Sequence, residues 1–136
     1  MSRYSQTSAP VALISSPQNL TGSWADLGAE IDTNGAKVIG LWATLDINDT
    51  NNARVRVLAK HTSAGAEEYQ LPIRTVSASD VKIDAEYIEF NSDADQLMVV
   101  SFDLDCVVPY VQFQVTAGTA GASAGQIDAA YYTIGY

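Results

Sequence analysis

The chain has 136 residues, 47% of them hydrophobic and 17% charged, a balance that predicts one packed domain and excludes a disordered chain. Sixteen acidic residues against seven basic ones give a formal net charge of −9, which disfavours free nucleic acid and anionic lipid as partners. The single cysteine, Cys106, allows neither an intrachain disulfide nor a cysteine-rich zinc site, and its apolar surroundings predict a buried thiol.

The first ten residues, Met1 to Pro10, are polar and are read as a flexible arm ahead of one domain spanning 11–136. No apolar segment suited to a signal peptide or a membrane span is present, which predicts synthesis in a cytoplasm and no membrane partner. Val11 to Ile14 is a short first strand. Trp24 to Leu27 and Ala29 to Ile31 read as two parts of one bent strand, and Asn34-Gly35 supplies a turn that needs positive φ. Val38 to Ile47 alternates with period two: Ile39, Leu41, Ala43, Leu45 and Ile47 share one face, and Val38, Trp42 and Thr44 the other.

Three hairpins are expected to follow. Ala53 to His61, with Val55, Val57 and Ala59 inward, pairs with Glu68 to Thr75. A second pairs Ala85 to Phe90 with Leu97 to Leu104, burying Ile88, Phe90, Met98, Val100, Phe102 and Leu104. The third pairs Val107 to Ala117 with Gln126 to Tyr136 across a small-residue connection. One short helical turn is expected at Ala78 to Asp84, where Ser77, Ser79 and Asp80 can cap it. Short alternating strands with regular turn signals predict an all-β fold, an antiparallel two-sheet sandwich of jelly-roll type.

The motifs point away from enzyme chemistry. His61, the only histidine, sits at a strand end without a nucleophile context, and no GxSxG, P-loop or HExxH motif occurs. The paired acids, among them Glu86 with Glu89 and Asp103 with Asp105, read as strand-face or turn residues. No catalytic residue, metal ligand or cofactor is assigned. Asp46 to Asn52 spaces oxygen ligands like a calcium loop, but Asn51 stands where an EF-hand needs glycine and Val57 where it needs glutamate. Asn91 to Asp95 has the same character. Exposed rings suited to a sugar would come from Trp42, Trp24, Tyr132 and Tyr136.

Apolar residues on both faces of the last strand suggest that one face meets another chain. Candidate interface residues are Arg3 and Tyr4 on the arm and Trp42 and Tyr132 on the sheets. The stretch Gly22-Ser-Trp-Ala-Asp-Leu-Gly-Ala-Glu-Ile-Asp32, continuing through Val38-Ile-Gly-Leu-Trp-Ala-Thr-Leu-Asp-Ile-Asn48 and the segment Val55 to Ile73, resembles small β-sandwich virion accessory proteins of tailed bacteriophages, over roughly residues 20–75. The resemblance implies a virion protein, most directly a capsid decoration (cement) protein. Such a protein would form a homo-oligomer, a trimer being favoured, on the major capsid protein or other virion proteins. A tail or neck accessory and a carbohydrate-binding module for host adsorption are the alternatives.

Overall fold

The computed structural model describes residues 8–46, 53–65, 69–70, 73–77, 81–83, 87–90, 96–104, 108–117 and 125–136. All regular structure among them is β, in two antiparallel sheets packed face to face. The β5 sheet runs β1 (Val11–Ala12), β13 (Gln126–Gly135), β5 (Val38–Asp46), β11 (Gln96–Asp103) and β8 (Ile73–Ser77), with β2 (Gln18–Asn19) also on β13. The β6 sheet runs β3 (Ala25–Asp26), β12 (Tyr110–Ala117), β6 (Ala53–Lys60), β10 (Ile88–Phe90) and β9 (Val81–Ile83). There β4 (Ile31–Asp32) also pairs with β12, and β7 (Tyr69–Gln70) with β6.

The pairings nest. With β7, β8 and β9 set aside as additions between β6 and β10, the β6·β10 pair lies inside β5·β11, which lies inside the pairing of β3 and β4 with β12, and that inside β1 and β2 with β13. This long ribbon is rolled so that β5 lies beside β13 and β6 beside β12. That winding is the jelly roll expected from the sequence.

Alternation places the core. From the β5 sheet, Ile39, Leu41, Ala43, Leu45, Met98, Val100 and Phe102 point inward and are essentially inaccessible. They meet Val55, Val57, Ile88, Phe90, Val111, Phe113 and Val115 of the β6 sheet. Phe102 and Phe113 join the two layers, with ring centroids 5.9 Å apart and planes tilted by 58°. Tilted pairs of this kind favour edge-to-face contact of ring quadrupoles.

Three sequence expectations are corrected by the pairing. Val107 to Ala117 and Gln126 to Tyr136 do not form a hairpin: β12 and β13 lie in different sheets. The same holds for β10 and β11. The strand after His61 splits, so that β7 returns on β6 for two residues while β8 crosses to pair with β11. Alternation shows which face of a strand is buried but not which strand pairs with it, and each connection is long enough to arch over the ~10 Å between sheets. The helical turn is also corrected, because Val81–Ile83 is a strand paired with β10. Its β-branched residues suit a pleated surface better than a helix.

The predicted bent strand is present as β3 and β4, both on β12 and interrupted at Gly28. Gly28 has φ +71°. A Cβ there would lie 2.5 Å from the Leu13 carbonyl oxygen, just after β1. The Leu27 N–H donates to Phe113 O at 2.8 Å, and Gln112 Nε2 donates to Gly28 O at 3.1 Å, so the bend is held from β12. The Asn34-Gly35 turn forms as expected, with φ of 51° and 75° and the Asn34 N–H donating to Asp32 Oδ1 at 2.9 Å. The domain reaches back to Ser8, whose N–H donates to Ile134 O at 2.8 Å and whose Oγ accepts from Ile134 N at 2.9 Å.

Two predictions follow from this frame. Gly28→Ala forces a left-handed residue into contact with the Leu13 backbone, and should lower unfolding free energy by at least about 2 kcal/mol in urea denaturation. The second concerns Glu30. Its carboxylate accepts from Ala64 N at 3.1 Å and Ser63 Oγ at 3.0 Å, and pairs with Lys60 Nζ at 3.3 Å. The Ala64 amide, helped by Ser63 and Lys60 and opposed by burial, holds its carboxyl below the ordinary glutamate value. A depressed pKa gives stability that is full above the unfolded value and is lost as pH falls through the folded one. Glu30→Gln should therefore lower stability at neutral pH, where this contribution is full, change little once pH has fallen through the folded value, and so flatten the acid limb of a stability-against-pH curve.

Candidate interaction surface

The outer face of the β5 sheet follows from the same alternation. Because Leu41 and Ala43 point inward, Gly40, Trp42 and Thr44 must point out. Their cross-strand partners extend the face in rows. One row is Ala12, Tyr131, Trp42 and Val99, the next is Ala129, Thr44 and Leu97, and the third is Thr133, Gly40 and Ser101. No residue in these rows carries a charge, in a chain whose net charge is −9. The acids of this sheet lie at strand ends and at the β13 bulge, as Asp46, Asp103 and Asp128.

Three large apolar side chains protrude from it: Trp42 at 43% exposure, Tyr131 at 44% and Leu97 at 54%. Together with Ala43, Thr44 and Ala129 they border a shallow recess of about 70 Å³. That is far below the ~300–1,000 Å³ of small-molecule sites. It suits one aliphatic side chain from a partner surface. Trp42 lies back along its strand over Gly40: a Cβ built there would be 3.8 Å from the indole Nε1 and 3.2 Å from Thr133 Oγ1. The bare backbone of Gly40 thus gives the indole a flat seat.

Of the sequence-derived interface residues, Trp42 is on this face. Tyr132 is not: it pairs with Leu41, faces inward and packs against the core. Its neighbour Tyr131 pairs with Trp42 and takes the outward place. The register shift between Ile127 and Ala129 explains the parity of the strand. A bulge there returns Ile127 to the same buried side as Ala130 and Ile134, so strict alternation from Ile127 misassigns the residues beyond it. Arg3 and Tyr4 lie outside the described residues, as do Cys106 and the oxygen-rich stretches 47–52 and 91–95. His61 is exposed at its turn. Among the described residues there is no group of three or more His, Cys, Asp or Glu able to hold a metal ion. Nor is any helix there long and apolar enough to cross a membrane.

The outer face of the β6 sheet has the opposite character. Arg54 and Arg56 project from β6 and stack on aromatic rings, Arg54 over Tyr87 at 4.6 Å and Arg56 over Trp24 at 4.3 Å from the ring centroids. Glu89 pairs with Arg54 at 2.7 Å. Trp24, a candidate sugar platform in the sequence, is half-buried with one ring face occupied by Arg56.

The sequence matches no protein-family model, and no curated protein is detectably similar to it.

An exposed apolar surface contributes little to the stability of its own domain. Leu97→Ser should change unfolding free energy by less than about 1 kcal/mol. Phe102→Ala, on the inward face of the same strand, should cost about 3–5 kcal/mol. Parallel urea titrations of the two variants check this difference.

Proposed function

We propose that this protein is a non-enzymatic structural component of a tailed-phage particle, a decoration protein that docks on the assembled shell through the outer face of the β5 sheet. The observation that carries the reading is the absence of charge from three cross-strand rows of that face in an acidic chain. Solvent-exposed sheet faces are ordinarily polar, and a contiguous apolar face marks a contact surface. The resemblance of residues 20–75 to small virion β-sandwich proteins supports the choice of a phage particle as the address.

Area bears on how such a protein binds. Rows and strand spacings make the uncharged patch roughly 300 Å². A stable one-to-one interface takes about 800 Å² from each partner. The patch alone is therefore the centre of a contact completed by its rim and by repetition. Oligomerisation, as a trimer on a three-fold position of the shell, supplies that repetition through effective concentration. A protein that binds only the assembled lattice stabilises it by mass action.

Cosedimentation with assembled particles tests the reading. Leu97→Asp places a charge on the patch without disturbing the core, and Trp42→Ala removes its largest anchor. Each should weaken particle binding by about 2 kcal/mol or more, roughly thirtyfold. If both variants bind as the wild type does, this face is not the contact. Saccharide binding is the second reading, favoured by the adjacent exposed rings of Trp42 and Tyr131. A glycan array probed with and without calcium decides it: specific glycan binding lost in Trp42→Ala, with no particle binding, would replace the first reading.

A further inference from the structure

The two stacked arginines of β6 differ in one respect. Arg54 is directly opposite Glu89 on β10, and its Nε donates to the carboxylate at 2.7 Å. Arg56 is directly opposite Gln114 on β12, and its Nε and Nη2 donate to the neutral amide oxygen at 2.8 and 2.6 Å. The same stacked arrangement thus carries a carboxylate in one row and an uncharged acceptor in the next. Gln114 is held in that orientation, because its Nε2 donates to Asp26 Oδ1 at 2.9 Å, one strand further out on β3. Asp26 is exposed and already accepts that amide. Among the described residues, Arg56 pairs with no carboxylate.

The guanidinium is fixed on one plane by Trp24 and along one edge by Gln114. Trp24 is held in turn against Tyr87, with ring centroids 6.1 Å apart. Its end edge, one Nη1 and one Nη2 hydrogen, has no acceptor among the described residues, nor has the second Nη1 hydrogen. A half-buried cation fixed in this way has little side-chain freedom left to lose on binding. An end edge of two parallel N–H donors matches the two oxygens of a carboxylate.

We propose that Arg56 is a carboxylate-binding site on the outer face of the β6 sheet, and that its occupant is an aspartate or glutamate side chain of a partner protein. The charge of the chain selects this occupant. A nucleic acid would bring a row of phosphates against a surface of net charge −9 and be repelled beyond the one cation. A single acidic side chain brings only the group the site compensates. The ring faces of Trp24 and Tyr87 that carry the arginines are closed to a stacked sugar. The site is independent of the β5 face and lies on the opposite side of the sandwich. A decoration protein held by one face would present it outward.

The test is an NMR titration of the isotope-labelled full chain with the capped peptide acetyl-Gly-Glu-Gly-amide at low ionic strength, following Trp24 indole N–H and Arg56 Nε–H. A saturable shift of both is expected, with none for acetyl-Gly-Gln-Gly-amide. Arg56→Lys keeps the charge and loses the fork. Gln114→Glu compensates Arg56 from within. Each should weaken the peptide's effect on Trp24 at least tenfold, with the backbone amide spectrum of the variant showing the native fold. The proposal is overturned if the wild type shows no shift, or if the glutamine peptide shifts it equally. It is overturned as well if Arg56→Lys binds as tightly as the wild type, or if a thymidine oligonucleotide binds more tightly than the glutamate peptide.

Discussion

The strict inside–outside alternation of β5, held between β13 and β11, is the constraint on which the rest of the molecule depends. Ile39, Leu41, Ala43 and Leu45 are almost wholly buried on its inner face. A slip of one residue would bring Trp42 and Thr44 into the core and expose those four aliphatic side chains. Ladders on both sides of β5 make that slip costlier still. The composition of the outer face is therefore imposed by the core: once Leu41 is inside, Trp42 is outside. What the core does not impose is that three successive cross-strand rows of that outer face should lack charge, with Asp46, Asp103 and Asp128 only at their borders.

The sandwich consequently has two unlike sides. On the β6 sheet, the outward positions are filled by arginines, glutamine and glutamate that satisfy one another and use aromatic rings as supports. Even Leu58, Gln112 and Thr116 are buried there. Gln112 and Thr116 donate to backbone carbonyls of the chain segment that precedes and follows β3. That side is covered by its own chain. On the β5 sheet no comparable polar network covers the described rows, and Trp42, Tyr131 and Leu97 stand in solvent. The two sides thus differ in kind: one carries a polar network with an open edge at Arg56, and the other an uncharged surface with exposed rings.

Much of this was legible in the sequence, for reasons that can be named. Period-two alternation identified the buried sets of β5, β6, β10 and β11, because a side chain's face depends only on its own strand. The Asn34-Gly35 turn was legible because few residue pairs accept positive φ in succession. Pair partners were not legible. Whether β12 turns back on itself or arches to the opposite sheet depends on contacts far away in sequence. Tyr131 was missed for Tyr132 because the bulge after Ile127 leaves no mark in the side-chain pattern. The Arg56 arrangement was hidden more deeply, since Trp24, Arg56 and Gln114 meet only through the registers of three strands. The alternation of basic residues along β6 was the available signal, and it marked an outward face without showing what stacks there.

The central claim is that the uncharged face of the β5 sheet is the side turned to the shell. Cryo-electron microscopy of native particles carrying this protein tests it most directly, because it reads orientation rather than affinity. Density for the jelly roll is expected with Trp42, Tyr131 and Leu97 against the shell surface and Arg56 on the side facing away. Density with those three side chains toward solvent and the β6 sheet on the shell would contradict it, as would particles that carry no copy of this chain.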